Sequence, residues 1–121
     1  MTLVDTSVWV SFFKGEKNAL ALKNIIVEGN VIIHPYILGE LLLAGLSKTN
    51  EDLMKSLNFC NIIKENDIYE FIKKYEAYTY GMGWVDINLA ASIFANSYEL
   101  FSFDSNLQKI SKKLGCPVYS G

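Results

Sequence analysis

Asp5, Glu40, Asp86 and Asp104 are the residues of this chain best placed to do chemistry. Asp5 follows the apolar pair Leu3-Val4, and Asp104 follows the largely apolar run from Leu100 to Phe103. That is how a carboxylate looks at the carboxyl end of a buried strand. Open α/β sheets place their ligands at strand ends. Carboxylates collected there repel one another unless cations neutralise them, so the simplest purpose of such a cluster is to hold divalent metal. The chain reads as a metal-dependent enzyme.

Each acid also has an ordinary role to weigh. Asp5 and Asp104 can cap the helices that follow them, and Ser105 and Asn106 would serve the last helix equally well. Asp86 can act only as a first-turn partner of a helix dipole. Glu40 sits in a run of Leu and Ile, where a buried, unpartnered carboxylate would cost several kcal/mol, about the general figure for buried charge; turned outward it costs nothing. The combination is stronger than its members, because a parallel sheet gathers its strand ends and the helix starts that follow them on one edge. Ser7, two residues after Asp5, offers a hydroxyl to orient a carboxylate or a water at the metal, or to cap the helix. Ser102, two residues before Asp104, is placed similarly, but on a strand it can face either way.

The elements that must position these residues alternate along the chain. Thr2 to Asp5 reads as a first strand, Thr6 to Phe13 as a helical start, and about Asn18 to Val27 as a second helix stopped by Gly29. Val31-Ile32-Ile33 reads as a second strand, and Pro35 fits the first turn of the helix that carries Glu40. Asn50 is expected to cap a helix from Glu51 to about Asn58, and Cys60 to Ile63 to form a third strand. The spacing of Ile68, Phe71, Ile72, Tyr75 and Tyr78 predicts a helix from Asp67 to about Tyr80, broken by Gly81 and Gly83. Asp86 opens a helix with the apolar stripe Leu89, Ala90, Ile93 and Phe94. Glu99 to Phe103 is the fourth strand, Ser105 to Leu114 a last amphipathic helix ended by Gly115, and Pro117-Val118-Tyr119 a short edge strand. Such alternation predicts an α/β fold, a mostly parallel sheet sandwiched by helices.

Composition bounds the rest. With 121 residues, half of them apolar, the chain fits one ordered domain spanning residues 1–121, without repeats or low-complexity linkers. No stretch approaches the roughly 20 uninterrupted apolar residues of a membrane span. The amino terminus lacks the features of a secretory signal, so a cytoplasmic protein is expected. Cys60 and Cys116 have neither zinc-site spacing nor disulfide density and read as buried apolar residues. The net charge of −2 does not advertise nucleic-acid binding, although bound metal would cancel an acidic site. All 11 basic side chains are Lys, so bidentate phosphate or guanine recognition by Arg is excluded from this chain alone.

With Leu3-Val4-Asp5-Thr6-Ser7 near the start, Glu40 after His34-Pro35, Gly83-Trp84-Val85-Asp86 leading into Leu89-Ala90-Ala91, and Ser102-Phe103-Asp104 late in the chain, the sequence resembles the PIN-domain ribonucleases, and more narrowly the VapC-type toxins of toxin–antitoxin pairs. Ser102 stands where that family often has Thr, which leaves the hydroxyl in place. The resemblance implies an endoribonuclease dependent on Mg2+ or Mn2+. It implies a PIN-like three-layer sandwich whose central, mostly parallel sheet of four to five strands runs in the order 3-2-1-4-5, with helices on both faces. Asp5, Asp86 and Asp104 would then be metal ligands, and Glu40 a ligand or a water-orienting partner. Carboxylate-held cations can activate water near neutral pH and offset charge on the scissile phosphate, so no His base is needed. The implied partners are RNA, a cognate antitoxin whose tail occupies the active-site groove, and a second copy of the chain as a homodimer. No membrane is implied.

His34, the only histidine, reads as structural. Phe71, Tyr75, Tyr78 and Tyr80 can stack on bases or form core, and Lys73-Lys74 and Lys112-Lys113 can meet phosphates or simply be solvated. Rival readings fit less well. A phosphotransferase of the haloacid-dehalogenase kind wants a second Asp where this chain has Ser7. A receiver domain of two-component signalling expects adjacent acids after the first strand and a Lys-Pro pair late in the chain, whereas here Cys116 precedes Pro117. A PIN-like module that binds RNA or a partner without cutting stays open, and the presence of all four acids argues against it.

Overall fold

The computed structural model describes residues 1–120. Four short strands lie at its centre: β1 (Thr2–Val4), β2 (Val31–Ile33), β3 (Asn58–Phe59) and β4 (Glu99–Phe101). They form a parallel sheet in the order β3-β2-β1-β4, with Leu3 opposite Ile32 on one side and Leu100 on the other. Every residue of β1 and β2 is buried, the unbroken apolar pattern expected when helices cover both faces of a parallel sheet. The expected edge segment reduces to one parallel bridge between Val118 and Leu100, fastened by Leu100 N–H to the Pro117 carbonyl (2.9 Å) and Tyr119 N–H to the Leu100 carbonyl (2.7 Å). It occupies the fifth position of the predicted order.

The helices are α1 (Thr6–Phe13), α2 (Ala21–Val27), α3 (Pro35–Leu43), α4 (Lys48–Lys55), α5 (Glu65–Lys74), α6 (Trp84–Asn96) and α7 (Ser105–Lys113), with 3-10 turns at Lys17–Ala19 and Ala77–Tyr80. Helices α5, α6 and α7 pack together, and α3 packs on both α1 and α4. Between its neighbours α6 is buried without a break from Ile87 to Ile93, so even Asn88 and Ser92 are covered. The core joins Leu3, Val4, Ile33 and Leu100 of the sheet to Trp9, Ile37, Met54, Ile68, Leu89 and Leu107 of the helices. Cys60 and Cys116 are both free thiols buried at its margin, and burial raises the pKa of each. Among the described residues no helix is long and apolar enough to cross a membrane.

Several boundaries differ from expectation; the fourth strand, for one, ends at Phe101 rather than Phe103. The helix expected from Glu51 begins at Lys48, because Ser47 rather than Asn50 caps it, its hydroxyl accepting the Asn50 N–H at 3.2 Å. The third strand lies at Asn58–Phe59 rather than Cys60–Ile63. Strand β2 has only three residues before Pro35 turns the chain into α3, so pairing ends with Ile33 opposite Phe59 and one further bond from Cys60 N–H to the Ile33 carbonyl. The helix expected to reach Tyr80 stops at Lys74. Glu76 takes a left-handed conformation (φ 52°), which turns Ala77 into the core and leaves Tyr78 69% exposed, the reverse of what helical spacing assigns.

Candidate active site

Two of the four acids sit at turns where strands become helices, Asp5 after β1 and Asp104 after β4. Asp5 is the first residue after β1 and the N-cap of α1: its Oδ1 accepts the Thr6 N–H at 2.8 Å. Its backbone N–H donates to the Phe101 carbonyl at 2.9 Å, which ties this turn to the end of β4. Its Oδ2 accepts from the hydroxyls of Ser102 (2.7 Å) and Ser7 (3.1 Å). Only 6% of Asp5 is exposed. Burial raises its pKa and repulsion from Asp104 adds to that, while the three hydrogen bonds pull the other way.

The two serines knit neighbouring turns together. Ser102 follows β4 with its side chain turned inward, where its Oγ donates to Asp5 and accepts the Asp104 N–H at 2.9 Å. Ser7 Oγ likewise donates to Asp5 and accepts the Phe103 N–H at 3.2 Å. Asp104 caps α7, its Oδ1 accepting the N–H groups of Asn106 (2.8 Å) and Leu107 (3.0 Å). Capping is therefore real at both Asp5 and Asp104, and it orients each carboxylate instead of exhausting it. Asp104 Oδ2 has no hydrogen-bond partner among the described residues.

Glu40 projects from the middle of α3 and is half-buried; its Oε1 accepts the Thr6 hydroxyl at 2.7 Å. Thr6 is the positioning residue that sequence reasoning overlooked. The available signal was its place beside Asp5, at the head of a helix with a hydroxyl to spare. Gln108 is a second, its amide donating to the Ser102 carbonyl; nothing in the sequence pointed to it. Asp86 lies in the first turn of α6, half-buried, with no hydrogen-bond partner among the described residues. Its pKa is pushed up to about 6, first by burial and then by the charges of Asp5, Asp104 and Glu40. The helix dipole that favours a carboxylate here does not offset those three neighbours.

Asp86 thus feels the charges of the other three carboxylates, and Asp5 that of Asp104. An oxygen-only donor set suits a hard divalent cation, and a cation would reverse the repulsion that burdens Asp86. Among the described residues no three His, Cys, Asp or Glu side chains already stand as a cage for an ion. His34 takes no part in this. It caps α3, its Nδ1 accepting the Tyr36 N–H at 3.0 Å, and complete burial lowers its pKa to about 4.

Two solved structures share this fold. The crystal structure of FitAcB from Neisseria gonorrhoeae aligns with a TM-score of 0.66 and 19% identity, covering 99% of this chain and 97% of that one. The crystal structure of PAE2754 from Pyrobaculum aerophilum aligns with a TM-score of 0.63 and 15% identity, covering 90% and 83%. A comparison with curated protein sequences found no match. The PIN domain family matches residues 2–113, almost the whole chain, and PIN domains are typically nucleases that use divalent metal ions. With that match, on a parallel sheet whose helices carry Asp5, Asp86 and Asp104 at their starts and Glu40 in the middle of α3, the chain belongs to the PIN-domain family.

Proposed function

We propose that this protein is a metal-dependent endoribonuclease that hydrolyses RNA phosphodiester bonds as the toxin of a type II toxin–antitoxin pair. The observation that carries the reading is the hydrogen-bonded frame that holds Asp5, Asp104 and Glu40 through Ser7, Ser102 and Thr6, beside Asp86, whose pKa burial and the charges of those three acids push up to about 6. Asp5, Asp86 and Asp104 would hold Mg2+ or Mn2+, with Glu40 a further ligand or the group that orients the attacking water. Bound divalent metal supplies Lewis-acid activation of water and neutralises charge on the scissile phosphate. The chain's own contribution is to hold the acids still beforehand: Ser7 and Ser102 fix Asp5, Thr6 fixes Glu40, and the cap of α7 fixes Asp104. Such preorganisation spares the reaction the cost of ordering charged groups as it proceeds. His34, buried and committed to a cap, is no general base.

The toxin assignment rests on the narrower resemblance to VapC-type toxins. It carries with it a cognate antitoxin in the active-site groove, a homodimer and a cytoplasmic site of action, where RNA is. The dimer contact suits α3, whose Leu42 (45% exposed) and Leu43 (91% exposed) border a shallow apolar hollow with Tyr36 and Val85, beside Glu40.

Total cellular RNA incubated with the purified chain in Mg2+, Mn2+ or chelator, with new ends mapped by sequencing, tests the activity. Cuts should require metal, and Asp5→Asn and Asp86→Asn should each lower the rate by about a hundredfold or more, as expected when charge stabilisation at the reacting centre is lost. A folded wild-type chain that cuts nothing with either metal would leave a binder in place of a nuclease.

A further inference from the structure

One lysine of each pair, and two of the tyrosines, that the active site leaves unused converge elsewhere. Lys74 and Tyr75 at the carboxyl end of α5, Glu76 and Tyr80 of the turn that follows, Phe94 late in α6 and Lys113 at the end of α7 line one open cleft of about 390 Å³. That volume lies within the range of small-ligand sites, roughly 300–1,000 Å³. Its walls are largely aromatic: Phe94 stands edge-on to Tyr75 with ring centroids 5.1 Å apart and is 37% exposed, near the end of α6 where Ala95 and Asn96 are exposed too. Its rim carries two lysines against one acid, Glu76. Lys74 Nζ lies 5.4 Å from the Tyr75 ring centroid, and neither Lys74 nor Lys113 has an acidic partner among the described residues, whereas Lys73 pairs with Glu70.

Lysines at helix carboxyl ends complement the helix dipole, and that alone would account for their type. It does not account for an exposed ring between them at the mouth of a cleft. An aromatic wall with unpaired ammonium groups at the rim offers a base a face to stack on and its phosphate two cations, the combination that sequence-tolerant binding of single-stranded nucleic acid uses. Position agrees with that occupant. Helices α6 and α7 both start at the acidic site, and Phe94 and Lys113 lie eight and nine residues beyond Asp86 and Asp104, roughly 12–14 Å along the helix axes. At about 3.4 Å per stacked nucleotide, some four nucleotides cover that distance. We infer that this cleft is a second RNA-binding site, which holds one nucleotide of the single-stranded substrate at a distance from the bond to be cut, its base against Tyr75, Tyr80 and Phe94 and its phosphate on Lys74 and Lys113. RNA as the occupant rests on the nuclease reading; the cleft's chemistry does not.

Binding measured without metal separates the two. A short fluorescein-labelled single-stranded oligoribonucleotide is titrated in chelator, by fluorescence anisotropy, against the wild-type chain, a Lys74→Glu/Lys113→Glu double variant, Tyr80→Ala, and a control reversal, Lys14→Glu/Lys23→Glu, away from the cleft. The cleft reversal should weaken binding about tenfold or more and reduce the slope of log affinity against log salt by about 0.7, one neutralised phosphate on a single strand. Tyr80→Ala should weaken binding about tenfold, the loss of one stacked base, with the melting temperature checked for each variant. The control reversal should change little. Equal losses in the cleft and control variants, or none in the cleft variant, would overturn the inference. So would displacement of the RNA by an acidic peptide that binds the cleft more tightly, which would mark a protein-docking surface. RNA bound in the expected pattern but never cut with metal present would keep the second site and remove the nuclease; cutting with no effect of the cleft variants on binding would do the reverse.

Discussion

Asp86 is the residue on which acid–base chemistry and metal binding meet. Its carboxyl ionises near pH 6 in the folded protein against an ordinary value of 3.8, so between those values the folded state holds the extra proton. Stability without metal therefore falls as pH rises through that window. Asp86→Asn removes the effect: in chelator the variant should gain on the wild type between pH 5 and pH 7.5 by about 1 kcal/mol after solvent screening, a few °C in melting temperature. Mg2+ at pH 7.5 should raise the melting temperature of the wild type and not that of the variant. A difference between the two proteins that does not change with pH would mean that Asp86 is not under this repulsion. Ser102 works at the same scale by other means, since its buried hydroxyl serves Asp5 and the Asp104 N–H together. Ser102→Ala should cost about 1–3 kcal/mol in urea unfolding and weaken Mn2+ binding by about 10–100-fold. Ser102→Thr should recover the metal affinity; an alanine variant with unchanged Mn2+ affinity would reduce Ser102 to packing.

At the scale of elements, the cap of α7 and the acidic site share one carboxylate, and substitution can separate the roles. Asparagine caps about as well as aspartate. Asp104→Asn should then leave stability within about 0.5 kcal/mol of the wild type while metal affinity falls, whereas Asp104→Ala should lose about 1 kcal/mol as well. If the two variants unfold alike, the cap contributes nothing measurable. The starts of α1, α3 and α7 were legible because caps, Pro35 and the strand-to-helix alternation leave local marks, and so were the ends of α1 and α2. The start of α4, the end of α5 and the third strand were not. The turn at Glu76 is chosen by which side chain the core accepts, Ala77 over Tyr78, and the length of β3 by where β2 runs out.

For the whole molecule, the sheet order makes one edge common to every candidate ligand, since β1 lies between β2 and β4 and the turns after β1 and β4 bond directly through Asp5, Ser7 and Ser102. The opposite consequence of a small α/β domain is uncovered apolar surface, most of all Leu43 on α3. The chain should sediment as a dimer at micromolar concentration, and Leu43→Glu should return it to a monomer by placing a charge in the contact. A monomeric wild type would remove α3 as the dimer surface.

The sequence by itself determined the class of fold and offered a short list of candidate acids, because apolar runs, helix caps and glycines act through neighbours in the chain; the order of the strands came only with the family resemblance. The sequence also carried that resemblance, since the fragments around Asp5, Glu40, Asp86 and Asp104 are local patterns. Only the tertiary structure decided which way Ser102 faces, that Thr6 holds Glu40, and that Asp86 bears the combined repulsion of three acids. Each of those joins residues tens of positions apart, where proximity is set by packing across the sheet and leaves no trace in local spacing. The same holds for Lys74, Phe94 and Lys113, ordinary residues on three separate helices until the fold brings them to one cleft.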